Sequence, residues 1–227
     1  MQEPDIIDIL RKSWDNFKLN AKVLTLVATF GGAIPTIAYT AFSLYRQFTE
    51  LRGNVPPNAA APFISLVFAI ILCIFIFVTY MGLINICNKI LKNEPVTYKD
   101  AFLTNDQLGE LVKAGCLLGF LSGIGYICCI IPGTIVSFIF TFVPYILIIY
   151  PRKSIGESFT ASRKLTIKYL KTTFIIALIV FAINTIAGAS LIGIIRSMPL
   201  SVMINTVLFT TLAEIENNND KANNVLR

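Results

Sequence analysis

Two adjoining stretches decide the fold: GCLLGFLSGIGYICCIIPGTIVSFIFTFVPYILIIY at positions 115–150 and PRKSIGESFTASRKLTIKYLK at positions 151–171. The first contains no charged residue and holds most of two membrane crossings, separated by the Pro132-Gly133 pair. The second is basic, and the chain becomes apolar again at Thr172. This order predicts a membrane hairpin, then a helix on the membrane surface, then another span.

The composition of the whole chain indicates a membrane protein. Of its 227 residues, 55% are hydrophobic and 14% are charged, whereas soluble domains carry about 25% charged residues. There is no histidine, which removes the commonest general base and metal ligand. The five cysteines lie in or beside apolar runs, as buried thiols do, although the adjacent Cys128 and Cys129 leave a redox or metal feature open. We therefore expect an all-α polytopic membrane protein without a cofactor or a metal site.

Six apolar segments have the length and composition of membrane-spanning helices. Their predicted bounds are 23–45, 62–88, 111–130, 133–150, 172–195 and 200–213. Gly31, Gly32 and Pro35 predict a kink in the first span, and Pro144 predicts a bend in the fourth.

Polar segments connect these spans. We expect a loop at 46–61, a short helix at 97–103 and a turn at 196–199. The Asn-rich segment at 214–227 is expected to be a polar cytoplasmic tail without a fixed structure. The remaining chain, 1–213, is predicted to form a single helical membrane domain.

Two amphipathic segments are predicted to lie in the membrane interface. At 5–20, apolar residues and the only tryptophan, Trp14, share one helical face, although a solvated helix covering a protein core would show the same pattern. At 154–171, Ser154 and Glu157 fit a capping box, and lysines occupy one face of the helix that follows. With Trp14, three of these lysines are expected to contact anionic lipid headgroups: Lys164, Lys168 and Lys171.

Small and polar residues inside the spans are candidates for helix packing. Glycines recur every four residues at Gly115, Gly119 and Gly123, and such a stripe lets two helices approach closely in lipid. The partner could be a neighbouring span of the same chain or a second copy. Three asparagines could hydrogen-bond between helices or line a pathway: Asn85, Asn184 and Asn205.

The basic residues fall almost entirely on one side of the predicted topology. Of the 19 lysines and arginines, only Arg46, Arg52 and Arg196 fall on the other side. The positive-inside rule therefore predicts that both termini are cytoplasmic. Because the charges are tied to the membrane plane, we expect anionic lipids as partners and no nucleic acid.

The sequence contains no recognisable catalytic centre. It has no Walker A loop, no GxSxG elbow and no HExxH motif, and no charged residue in the central part of a predicted span. We therefore expect a non-enzymatic scaffold or regulator that contacts lipids, a membrane protein partner or a second copy of itself. A permease or export component for a small or amphipathic molecule is the alternative, and a membrane-embedded lipid enzyme ranks third.

Several short stretches together resemble a known group of proteins. They are the Ile-Pro-Gly turn at 131–133, the apolar run to Tyr150, the polar segment at 153–162, the span entry at 164–174 and the opening helix at 9–18. The pattern resembles a broad group of uncharacterised prokaryotic six-pass membrane proteins. That group includes the membrane domain of some glycerophosphodiester phosphodiesterases and the YciC-like inner-membrane proteins. The resemblance implies a six-helix domain in the prokaryotic cytoplasmic membrane, and it carries over neither catalytic residues nor the phosphodiesterase activity.

Overall fold

The computed structural model describes residues 4–51 and 61–225, and within these ranges it contains helices and no strand. Six helical segments of the described residues are long and apolar enough to cross a membrane: Ile6–Phe48, Ser65–Leu91, Gln107–Ile127, Ile130–Ile149, Leu170–Ala187 and Ile195–Asn218. The predicted fold class, an all-α polytopic membrane protein, is confirmed. Most of the predicted loop at 46–61 lies outside the described residues.

The first two predicted elements form one continuous helical segment. Helix α1 (Ile6–Ala28) passes through a π-helical turn (Thr29–Ala33) into α2 (Ile34–Leu51). The interfacial helix predicted at 5–20 is therefore not separate from the span predicted at 23–45. The prediction was wrong because neither a glycine nor a proline lies between the two segments to end a helix.

The π-helical turn is the irregularity that the glycine pair predicted. It packs against α3 (Ala61–Leu91), where the hydroxyl of Thr79 donates a 2.9 Å hydrogen bond to the carbonyl oxygen of Gly31. A Cβ atom at Gly31 would lie 2.3 Å from that hydroxyl oxygen, so this close approach requires glycine.

The middle of the chain forms the predicted hairpin. Helix α4 (Asn105–Cys128) is joined to α5 (Ile130–Ile139) by one extended residue, Cys129. Three residues then interrupt the fourth span before α6 (Val143–Ile149) begins. The bend expected at Pro144 is therefore a complete break in the helix.

The last third of the chain departs most from the predicted bounds. Helix α7 (Ile155–Lys168) is followed by α8 (Leu170–Ala187) and α9 (Leu191–Val225). The turn between the last two spans lies at 188–190 and not at the predicted 196–199. Gly188 ends α8, and α9 accommodates Pro199 inside it, as membrane helices do when neighbouring groups compensate for the missing N–H.

Two further predictions about this region were wrong. The short span predicted at 200–213 is the middle of α9, which has 35 residues. The tail predicted to lack a fixed structure is helical as far as Val225. Its first turns are anchored by ion pairs to α7 through Glu216.

The buried core lies toward one end of the bundle, which we call the core end. Its largest fully buried side chains come from α1, the second half of α3, α6 with the residue before it, α8 and α9: Leu24, Leu83, Ile84, Ile86, Phe142, Val143, Tyr145, Ile176, Val202, Met203, Leu208 and Leu212. By contrast, α2 and the first half of α3 expose large apolar side chains such as Phe42, Phe48, Phe63 and Phe68. Such a surface suits contact with lipid tails.

Candidate functional site

Helix α7 is attached to the break between α5 and α6. The capping box predicted from Ser154 and Glu157 is present, with the Ser154 N–H donating to the Glu157 carboxylate at 2.8 Å. Further along, the hydroxyl of Ser162 donates to the carbonyl oxygen of Ile139 at 3.0 Å and accepts the N–H of Phe142 at 3.3 Å. The hydroxyl of Thr166 donates to the same carbonyl at 3.1 Å. Two side chains of α7 thus replace hydrogen bonds that an unbroken helix would have made internally.

The predicted headgroup lysines of α7 have a protein partner. Lys164 lies 3.0 Å from one carboxylate oxygen of Glu216 in α9, and Lys168 binds the other oxygen of the same carboxylate. Sequence reasoning missed this partner because Glu216 was placed in an unstructured tail. Lys171 is exposed just after the start of α8. Exposed cations also flank or lie on α7 and were not singled out: Arg152, Lys153 and Arg163.

A second polar cluster joins α3 to the connection that precedes α4. Lys89 forms an ion pair with Asp100 at 2.5 Å, and the side chain of Asn85 donates to the carbonyl oxygen of Asp100 at 2.9 Å. Asp100 also accepts the N–H of Thr97 in the predicted capping box. The hydrogen bond from Lys89, with that from the Thr97 N–H, holds the pKa of the Asp100 carboxyl below its usual value.

A buried polar network lies inside the core. The hydroxyl groups of Tyr80 in α3 and Tyr145 in α6 are 2.9 Å apart, and Asn205 of α9 lies beside Tyr145. The Cys87 thiol lies beside Thr206, whose hydroxyl donates to the carbonyl oxygen of Val202 at 2.7 Å. Sequence reasoning singled out Asn205 but treated the tyrosines as part of apolar runs. The network joins three helices through groups that would be costly to bury alone.

The third predicted asparagine also bonds between helices. The amide of Asn184 in α8 donates to the hydroxyl of Ser201 in α9 at 2.9 Å and to the carbonyl oxygen of Val180 at 2.9 Å. Asn85 and Asn184 therefore both make side-chain hydrogen bonds within the protein.

The glycine stripe contributes to packing at only one of its three positions. A Cβ atom at Gly115 would lie 2.9 Å from the ring of Phe77 in α3, whereas no neighbour lies within 4 Å of one at Gly119 or Gly123. Helices α4 and α5 instead approach each other closely at Gly125 and Gly133. A Cβ atom added to Gly125 would lie 2.7 Å from the Cα atom of Gly133. The short connection at Cys129 brings these ends of the two helices together.

A lateral groove runs between α1 and α8, with α9 as its floor. It encloses about 810 Å³, and we call it the α1–α8 groove. Its wall on α1 begins at Trp14 and ends at Phe30, a distance of about 24 Å along a helix. Lys18 and Lys22 lie along the first part of this wall, and Arg196 of α9 contributes a third cation. None of the described residues that line the groove is acidic.

The two lysines and the arginine lie at different ends of the α1–α8 groove. Gly32 lies in the π-helical turn just beyond the groove and faces Met198 of α9, since a Cβ atom there would lie 3.6 Å from the methionine sulfur. Arg196 therefore belongs near the Phe30 end. Lys18 lies at the other end, with its ammonium nitrogen 5.1 Å from the ring centre of Trp14.

These features define a polytopic helical membrane protein with a tightly packed, basic end and a groove in its side. No protein-family model matches the chain, and neither a curated protein nor a solved structure does. The resemblance to the six-pass prokaryotic group therefore stays an expectation. Among the described residues, no three histidine, cysteine or acidic side chains lie together as metal ligands would.

Proposed function

We propose that this protein is a non-enzymatic scaffold or regulator of the prokaryotic cytoplasmic membrane, and that it contacts anionic lipid headgroups through its core end. Both termini would lie in the cytoplasm, on the side that holds most of the basic residues. The resemblance to prokaryotic six-pass proteins supports the choice of membrane.

The observation that carries this proposal is the rigid attachment of α7 beside a group of exposed cations. Ser162 and Thr166 hold α7 to the broken helix, and Glu216 holds it to α9. Lys164 and Lys168 are consequently paired with Glu216, although 66% of the Lys164 side chain stays exposed. Other exposed cations on this surface include Arg152, Lys153 and Arg163.

Fixed cations of this kind favour an anionic leaflet. Each lysine or arginine near such a surface contributes about 1 kcal/mol. Because α7 is already ordered by its internal bonds, little conformational entropy is lost when its cations meet headgroups. A rigid basic surface also suits an acidic partner protein at the same membrane face.

Native-lipid discs followed by mass spectrometry test the proposal. We expect the full chain to retain anionic lipids above their share of the membrane, or to retain a specific protein partner. Replacing Arg152, Lys153 and Arg163 by glutamine should reduce the anionic enrichment. A charge-conserving control, Arg152→Lys with Arg163→Lys, should keep it. Recovery of the wild-type chain as a bare monomer without lipid or partner preference would refute the proposal.

A further inference from the structure

The α1–α8 groove combines an apolar wall with cations at its ends. Its volume of about 810 Å³ lies within the range of about 300–1,000 Å³ that ligand sites occupy. Leu26 and Phe30 expose 41% and 64% of their surface along the wall. In a bilayer, apolar side chains so exposed require contact with hydrocarbon.

We propose that the α1–α8 groove binds one anionic phospholipid of the basic-side leaflet, with its acidic headgroup at Lys18 and Lys22 and one acyl chain along the wall toward Phe30. This inference rests on the proposed function, since it takes the core end to face anionic lipid. It adds a specific site, on a different surface from α7.

The placement of the headgroup follows from the charges. The end near Trp14 has two cations, and the far end has only Arg196. Lys18 is held over the indole of Trp14, and tryptophan is enriched at the level of lipid headgroups. With no acidic residue among the described groove residues, neither lysine has a competing partner there.

The middle of the groove suits an acyl chain because its polar groups are turned away or already bonded. The hydroxyl of Thr29 donates to the carbonyl oxygen of Thr25 in its own helix at 2.7 Å. Ser197 is buried and also has a partner. From Lys22 to Phe30 the wall is about 12 Å long, close to the depth of one hydrocarbon leaflet of about 15 Å.

The single tryptophan allows a direct test. Trp14 lines the groove and is 46% exposed, so bromine atoms high on the chain of a bound lipid should quench its fluorescence. The full chain would be placed in phosphatidylcholine vesicles containing a small fraction of dibrominated phosphatidylglycerol or, separately, dibrominated phosphatidylcholine. An anionic surface contributes about a fivefold factor per lysine, so we expect about 30-fold preference for the glycerol lipid. Soluble inorganic phosphate should not compete, because it lacks the acyl chain.

Paired variants separate the groove from the general basic surface. Lys18→Gln with Lys22→Gln should reduce the preference to about one, measured as the ratio between the two brominated lipids. The matched control, Arg152→Gln with Arg163→Gln, removes the same charge from the α7 surface and should leave the ratio unchanged. Equal losses of this lipid preference in the two double variants would overturn the site. A loss of the preference caused by Arg196→Gln alone would also overturn it.

A steric variant tests the apolar part independently of charge. Ala21→Phe fills the groove beside Lys22 and should abolish preferential quenching, whereas Ala182→Phe, exposed on α8 outside the groove, should not. Protection of buried Cys87 from a thiol reagent verifies that each variant is folded.

The two proposals fail in different ways. Absence of preferential quenching in wild type, with anionic lipids still enriched in native discs, would refute the groove and leave the proposed function standing. Absence of both the preferential quenching and the enrichment would refute the proposed function and, with it, the proposed lipid site in the groove.

Discussion

Replacement of Ser162 by alanine tests whether α7 stabilises the break between α5 and α6. The fully buried hydroxyl accepts the Phe142 N–H at 3.3 Å and donates to the Ile139 carbonyl at 3.0 Å. Alanine would leave the Phe142 N–H without this partner, and a buried unsatisfied group costs about 1–3 kcal/mol. The Ile139 carbonyl would keep its hydrogen bond from Thr166, so it would add little to the loss of stability. We expect the unfolding equilibrium constant to rise about 5- to 150-fold.

A buried cysteine provides the assay. Cys87 is fully buried, so its reaction with a fluorogenic maleimide reports unfolding during a titration with sodium dodecyl sulfate in mixed micelles. The background would replace the other four cysteines by alanine: Cys73, Cys116, Cys128 and Cys129. Thr160→Val is the matched control, because this exposed hydroxyl bonds only to the Gly156 carbonyl in its own helix. The control should change the free energy of unfolding by no more than about 0.5 kcal/mol.

Two outcomes decide this prediction. If Ser162→Ala is no more destabilising than Thr160→Val, the hydrogen bonds of α7 do not stabilise the break. Adding Thr166→Val to Ser162→Ala should cost more than the sum of the single changes, because the Ile139 carbonyl then loses both partners. Simple additivity would refute the shared role of the two hydroxyls.

Three further predictions concern packing, pH and topology. Gly125→Ala should destabilise the protein by about 1–3 kcal/mol, because the added Cβ would lie 2.7 Å from the backbone of α5. The control, Gly119→Ala, should be neutral or slightly stabilising, because nothing lies within 4 Å of a Cβ there. Equal effects of the two substitutions in the same maleimide assay would refute the contact. The lowered pKa of Asp100 means that its stabilising contribution is present above about pH 4 and is lost as pH falls through the folded-state pKa. The difference in unfolding free energy between wild type and Asp100→Asn should therefore disappear in acid. A difference independent of pH would contradict a stabilising role of the ionised Asp100 carboxylate. Tyr45 and Gly156 would each be replaced singly by cysteine in a background without the five native cysteines. The two introduced cysteines should react with an impermeant maleimide from opposite sides of the membrane, and labelling of both from the same side would refute the topology.

Local chemistry made several elements of the fold predictable. The capping box at Ser154 and Glu157 predicted the start of α7, because both partners lie within one turn of chain. The six apolar runs, the hairpin near Pro132 and the interruption near Pro144 likewise depend on neighbouring residues. Each of these features is specified by residues fewer than about 25 positions apart, so a linear pattern carries the necessary information.

Features that depend on distant contacts were not predictable in the same way. Glu216 looked like part of a polar tail, yet it binds lysines of α7 that lie about fifty positions earlier. Helix α1 packs against α9 at the other end of the chain, a contact that no local pattern indicates. The α1–α8 groove exists because α8 leaves part of α1 uncovered, and no pattern within either helix indicates that gap.

The broken helix bears on the choice between a scaffold and a permease. In many transporters, interrupted helices leave backbone groups that coordinate the substrate near the middle of the membrane. Here the Ile139 carbonyl and the Phe142 N–H are bonded to Ser162 and Thr166, so these two groups are already satisfied within the protein. Asn184 is likewise bonded to Ser201. Because these polar groups join helices, they support the proposed scaffold over the permease.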